Sequence, residues 1–147
     1  MTRRLFLTAS AVFSAMAALP LSLSALTRND GAFKQEKLAD AIKALYGTSK
    51  TSDGKVNIKA PEIAENGAAV PVTISSDADG VESLALFVEG NPRALVSYVN
   101  VPKNGIPSVA TRIKLAKTSN VVAVAKINGK LYQTKKNVKV TIGGCGG

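Results

Sequence analysis

From residue 56 onward the chain breaks into short runs of β-forming residues, each closed by a turn signal, with no helical run between them. The runs cover 56–59, 69–75, 81–88, 94–99, 108–115, 121–127, 130–135 and 138–142. Asn66-Gly67, Asp79-Gly80, Gly90-Asn91-Pro92, Lys103-Asn104-Gly105 and Asn128-Gly129 punctuate them. Asn128-Gly129 is the strongest hairpin signal, because both residues tolerate the positive φ of a type I′ turn. Many short strands without crossover helices exclude a parallel α/β fold. They predict an all-β chain, an immunoglobulin-like antiparallel β-sandwich. Pro61, Pro71, Pro92, Pro102 and Pro107 fall at or near predicted strand ends, where a missing N–H costs little. They point to edge strands, and an exposed edge invites pairing with another β-rich chain.

Ahead of the strands, Asn29-Asp30 is placed to cap a helix starting near Ala32. Leu38, Ala41, Ile42 and Leu45 recur at helical spacing, and Gly47 supplies the stop. Residues 48–54 read as a polar linker. Further upstream, Arg3-Arg4 stands directly before an uncharged apolar run over residues 5–19, broken by Pro20 and followed by Ser22-Leu23-Ser24. A basic start, an apolar middle and a small-residue exit read as an export signal, and the arginine pair with Phe6-Leu7 resembles the twin-arginine motif. Thr8 stands where that motif commonly has a lysine. The competing reading is a retained membrane anchor, against which Thr8, Ser10, Ser14 and Pro20 interrupt a run where a span needs roughly 20 mostly apolar residues. The expected division is 1–24 export signal, 25–50 helix and linker, 51–142 β-sandwich and 143–147 a flexible arm. The mature chain is expected outside the cytoplasm, with no membrane association after cleavage.

Composition narrows the chemistry. With no histidine in 147 residues there is no Ser–His–Asp or Cys–His catalysis and no imidazole metal ligand. A single cysteine excludes an internal disulfide and a redox Cys pair. No catalytic residue, cofactor or metal site is therefore expected. The net charge is +9, and from residue 90 onward there are ten basic side chains and no acidic one, which favours an anionic partner. Asp77-Ala78-Asp79-Gly80 with Glu82 lacks the spacing of a calcium loop, and a turn explains Asp79-Gly80. Glu62 and Glu65 have no supporting constellation and read as solvated charge. Lys130, Lys135, Lys136 and Lys139 are candidates for one basic face. Aromatics are 5% of the chain, too few for the stacking that nucleic-acid binding wants.

Gly143-Gly144-Cys145-Gly146-Gly147 differs in kind, holding 4 of the 12 glycines and the only thiol. Glycine lacks a Cβ, so this segment is thin and flexible. Five extended residues reach roughly 16–18 Å, enough to enter a narrow active site of a partner. No neighbouring side chain activates the thiol, so its reactivity must come from a partner or from the surrounding basic field. An odd cysteine in an exported chain flags a reactive or intermolecular role.

Taken with the twin-arginine signal, Ala60-Pro61-Glu62-Ile63-Ala64-Glu65-Asn66-Gly67, Val70-Pro71-Val72 and Asn91-Pro92, this terminus resembles the SoxY family of the periplasmic thiosulfate-oxidising (Sox) complex. The resemblance implies a sulfur carrier with no catalysis of its own, paired in a heterodimer with a second β-sandwich subunit, SoxZ. It implies that a haem enzyme joins Cys145 oxidatively to thiosulfate, that a hydrolase then releases sulfate, and that a sulfane dehydrogenase, where present, oxidises the remaining sulfur. Gly143, Gly144, Gly146 and Gly147 would form the swinging arm. Two rivals are a ubiquitin-like donor, whose reactive group would be the Gly147 carboxylate, and an exported immunoglobulin-like binding module in which the tail is irrelevant.

Overall fold

Two segments are apolar without interruption, Leu84 to Val88 and Val121 to Ala125, and every residue in both is fully buried. A strand covered on one face alternates, so a continuous run means cover on both faces. The computed structural model, which describes residues 28–141, shows how that cover arises. Nine strands follow two short helices: α1 (Asp30–Phe33), α2 (Leu38–Tyr46), β1 (Ser52–Asp53), β2 (Asn57–Lys59), β3 (Ile63–Ala64), β4 (Val70–Ser75), β5 (Val81–Val88), β6 (Leu95–Asn100), β7 (Ser108–Ile113), β8 (Ser119–Ile127) and β9 (Lys130–Val140). The larger sheet has the order β1-β9-β8-β5-β6, with β3 also on β9; the smaller has the order β2-β4-β7.

The two sheets face each other across one apolar cluster. Leu84, Leu86, Val88, Val121, Ala123, Ala125 and Val138 meet Val70, Val72, Ile74, Ile113 and Leu115. The alternate residues Ala85, Phe87, Val122, Val124 and Leu131 form a second cluster with Ala32, Ala41 and Ile42 of the helices. The helices thus form a third layer over β5 and β8. The Tyr46 hydroxyl shares a hydrogen bond with Ser83 at 3.2 Å, and burial pushes its phenol well above the ordinary range. The Tyr46 ring also meets Tyr98 edge to face at 6.2 Å. This all-β sandwich is the fold class the strand runs predicted.

Local signals explain the ends of elements. Gly47 takes the left-handed conformation (φ 81°) past α2, and its N–H donates to the Lys43 carbonyl. Asn128 (φ 47°) and Gly129 (φ 77°) turn β8 into β9. Asn29 caps α1 by accepting from the Ala32 N–H.

In several places the structure departs from the sequence expectation. The single helix near Ala32 is two helices, because the chain between them bonds to the β5–β6 connection: Ala94 N–H donates to the Gln35 carbonyl at 3.0 Å, and Arg93 to the Lys34 carbonyl. The runs 130–135 and 138–142 form one strand, β9, through Lys135-Lys136-Asn137; residue 142 lies outside the described residues. The expected lysine face is split, since side chains alternate along a strand. Lys135 and Lys139 share the helix side with Leu131, whereas Lys130 and Lys136 share the inner side with Val138.

Two-residue β1 and β3 were not foreseen, and both run parallel to β9. Between them the chain crosses to the smaller sheet as β2 and returns. Side chains of β9 hold that crossing: Thr134 donates to the Val56 carbonyl and Lys136 to the Ala60 carbonyl, each at 2.6 Å. Pro71 lies within β4, where β2, paired only to Thr73, Ile74 and Ser75, does not reach, so its missing N–H is tolerated.

Candidate functional site

Cys145 and Gly143, Gly144, Gly146 and Gly147 lie outside the described residues, as does the export signal over 1–24. What the structure describes is the root of the arm, where β9 reaches the rim of the sandwich. That root is held on both sides. On the β3 side, Lys139 N–H donates to the Glu62 carbonyl at 2.9 Å and Thr141 N–H to the Ala64 carbonyl at 3.1 Å. On the other side, Val140 N–H donates to the Thr118 hydroxyl oxygen at 3.0 Å.

The loops around the root are fixed by short polar contacts. The Asn91 side chain spans the β7–β8 connection, donating to the Lys114 carbonyl at 2.7 Å and accepting from Ala116 N–H at 3.0 Å. Asn66 accepts from Ala68 N–H at 2.9 Å, the Asx turn its type favours. Gly67 lies against both: Leu115 N–H donates to its carbonyl at 2.7 Å. A Cβ there would stand 2.6 Å from the Leu115 carbonyl oxygen and 3.0 Å from a Val140 methyl. The segment Asn66-Gly67 and the loop held by Asn91 therefore form one rim with the end of β9.

The rim has mixed charge. Lys114, Lys117 and Lys139 are exposed there, and so are Glu62 and Glu65, in keeping with their reading as solvated charge. On the helix side of β9 and β8, Lys135 donates to Glu89 at 2.8 Å, and the other Glu89 oxygen accepts from Asn120, which accepts from Asn137. The Lys135 bond, then the Asn120 bond, hold the Glu89 carboxyl below its ordinary range. Glu82 is lowered likewise by Lys126 and by the Gly129 N–H. Asp77 accepts from Asn57 and Glu82 from Lys126, so these two carboxylates of the calcium-like segment have separate partners. Among the described residues no group of three or more His, Cys, Asp or Glu side chains stands together to hold a metal. No helix among them is long and apolar enough to cross a membrane.

Reach limits what the thiol touches. Cys145 is four residues past Thr141 in the sequence, which bounds its distance from that residue to roughly 14 Å. A cavity of about 550 Å³ lined by Asp79, Gly80, Pro102, Lys103 and Asn128 lies at the opposite end, by the start of β9. The length of β9 separates the two by roughly 30 Å, beyond that reach. Nearer the arm is a groove of about 420 Å³ lined by Lys59, Ala60, Pro61, Pro71 and Thr73. Lys59 is its only titratable lining residue, so it offers no acid–base pair to act on a thiol. Sequence reasoning missed the hold on the end of β9, since neither a two-residue strand such as β3 nor the Thr118 side chain leaves a periodic signal.

By architecture the molecule is a helix-capped, immunoglobulin-like β-sandwich whose last strand is clamped at the rim from which its glycine-rich terminus departs. The chain belongs to the SoxY family: the model of that family, described as sulfur oxidation protein SoxY, matches residues 42–145. The solved structure of the sulfur carrier protein SoxY from Chlorobium limicola f thiosulfatophilum is 41% identical, with a TM-score of 0.67, over 74% of this chain and 96% of that one. The superoxide reductase (neelaredoxin) of Ignicoccus hospitalis shares the fold at 23% identity and a TM-score of 0.54, over 60% of this chain and 81% of that one. None of the curated proteins matches the chain.

Proposed function

We propose that this protein is a periplasmic sulfur carrier, exported by the twin-arginine route, that holds thiosulfate-derived intermediates covalently on Cys145. The observation that carries this reading is the family match, whose range ends on Cys145. The likeness to a solved sulfur carrier supports it. The clamped root supports the arm: the fold stays fixed up to Thr141, and Gly143, Gly144, Gly146 and Gly147 move the thiol.

The chemistry belongs to partners. A haem enzyme takes two electrons as the Cys145 thiol and thiosulfate join, one proton leaves, and a cysteine S-thiosulfonate forms. A hydrolase then adds water across the terminal sulfur–sulfur bond, releasing sulfate and leaving a persulfide on Cys145. A sulfane dehydrogenase, where present, oxidises that remaining sulfur. A SoxZ-like β-sandwich subunit completes the carrier as a heterodimer.

Mass spectrometry of the mature protein from thiosulfate-grown cells tests the assignment. A thiosulfonate or persulfide adduct on Cys145, lost in Cys145→Ser together with thiosulfate oxidation, is the expected result. A thiocarboxylate at Gly147, or unchanged oxidation by Cys145→Ser, would overturn it.

A further inference from the structure

The sandwich does not treat its sheet edges alike. The β9 flank of the larger sheet is covered by β1 and β3. In the smaller sheet, edge strand β2 is three residues long and carries Lys59, and edge strand β7 carries Arg112. Short length and charge are the usual protections against unwanted strand pairing. The remaining edge, β6, has neither: Leu-Val-Ser-Tyr-Val-Asn holds no charge and no proline. A bulge at its start leaves residues 97–100 in regular register with β5.

Val101 N–H donates to the Glu82 carbonyl, so by alternation Val99 and Ser97 also turn their peptide groups toward β5. Tyr98 and Asn100 then direct theirs outward, and among the described residues no backbone or side-chain group bonds to them. Apolar surface lies on the same flank. Of three exposed large hydrophobic residues among those described, Val99 (38%) is on β6 and Ile106 (86%) on the loop that follows it.

Charge selects the occupant. Arg93 and Lys34 stand at the start of β6, joined through the Lys34 carbonyl, and Lys103 stands just past its end. A second copy added antiparallel would bring Arg93 of one chain against Lys103 of the other at both ends of the pairing. A different strand flanked by carboxylates meets attraction at both ends.

We propose that the outer edge of β6, through the peptide groups of Tyr98 and Asn100 and the side chain of Val99, receives an edge strand of a second β-sandwich subunit whose strand is flanked by acidic residues. The inference rests on the heterodimer reading above and names the surface that serves it. The larger sheet then continues across both subunits, on the opposite flank from the clamp that β1 and β3 place on β9, leaving the arm open to enzymes.

Amide hydrogen exchange of the full mature chain, alone and with separately purified SoxZ subunit, tests it. The subunit should slow exchange at Tyr98 and Asn100 by more than about tenfold, as strand pairing protects amides, and leave the outer amides of β2 and β7 unchanged. Val99→Asp, which buries an unpaired charge on docking, should weaken the complex about 100-fold, whereas Ile63→Asp on β3 should change it less than about twofold. Lys103→Glu should slow association at low salt; an unchanged rate would overturn the acidic flank. A complex that forms while Tyr98 and Asn100 exchange as before overturns the β6 assignment and leaves the heterodimer standing. Absence of any complex overturns both. Protection in the isolated chain that rises with its concentration would assign β6 to a second copy instead.

Discussion

The hydroxyl oxygen of Thr118 accepts the amide N–H of Val140 at 3.0 Å, although Thr118 precedes β8 and pairing between β8 and β9 ends at Ser119 with Val138. One side chain thus extends the hold on β9 beyond the ladder, just before the arm begins.

Thr118→Ala should loosen that hold without threatening the fold. Global stability should fall by no more than about 1 kcal/mol, the net worth of an ordinary hydrogen bond. Exchange at the Val140 and Thr141 amides should quicken while the amides of β5 and β8 stay protected. Thr118→Ser, which keeps the acceptor, should restore the slow exchange. Equal exchange in all three proteins would count against the clamp.

Gly67→Ala should destabilise more than its size suggests. The added carbon would press on a backbone oxygen, Leu115 O at 2.6 Å, which has no rotamer to escape into. A loss of about 1–3 kcal/mol is expected, as for overpacking elsewhere, read as a lowered melting temperature. Gly129→Ala meets no atom within 4 Å but must hold φ at 77°, for about 1 kcal/mol.

The Glu89–Lys135 pair gives stability a weak acid dependence. Glu89 titrates lower in the folded chain than in the unfolded one, where a glutamate ionises near pH 4.3. Its contribution is therefore complete above that pH and lost as pH falls through the lower, folded value. Both side chains are partly exposed, so the term is below about 1 kcal/mol. Melting temperatures from pH 7 to 3 should fall less steeply for Glu89→Gln than for the wild type; parallel curves would dismiss the pair.

The rim lysines should act on rate rather than on fold. If Lys114, Lys117 and Lys139 attract anionic cargo or its enzyme, conjugation of thiosulfate to Cys145 should slow as salt shortens the screening length to roughly 8 Å. A Lys117→Ala, Lys139→Ala variant should be slower at low salt and less sensitive to added salt. A salt-independent rate would remove these side chains from the step.

Much of this was legible in residue order because it rests on periodicity or turn chemistry. Buried runs around Leu84 and Val121, the cap at Asn29, the stop at Gly47 and the turn at Asn128-Gly129 each carry a local signal. The helix break at Gln35 does not, because its cause is a bond to Ala94, far along the chain. The polar Lys135-Lys136-Asn137 hid the middle of β9, since burial is demanded there only at Leu131 and Val138. As for the candidate site, Cys145 stands out in the sequence as the one thiol, whereas Glu62, Ala64 and Thr118, which hold the end of β9, meet only in three dimensions.

The length of β9 has a mechanical consequence. Tension applied to the chain beyond Thr141, as the proposed carrier role would bring, would act along the strand, whereas its ladder bonds lie across it. The pull is met in shear by β8 along one side of β9 and by β1 and β3 along the other, so many bonds share the load at once. Had the tail left from the end of a hairpin pulled sideways, the same force would have opened the bonds one at a time.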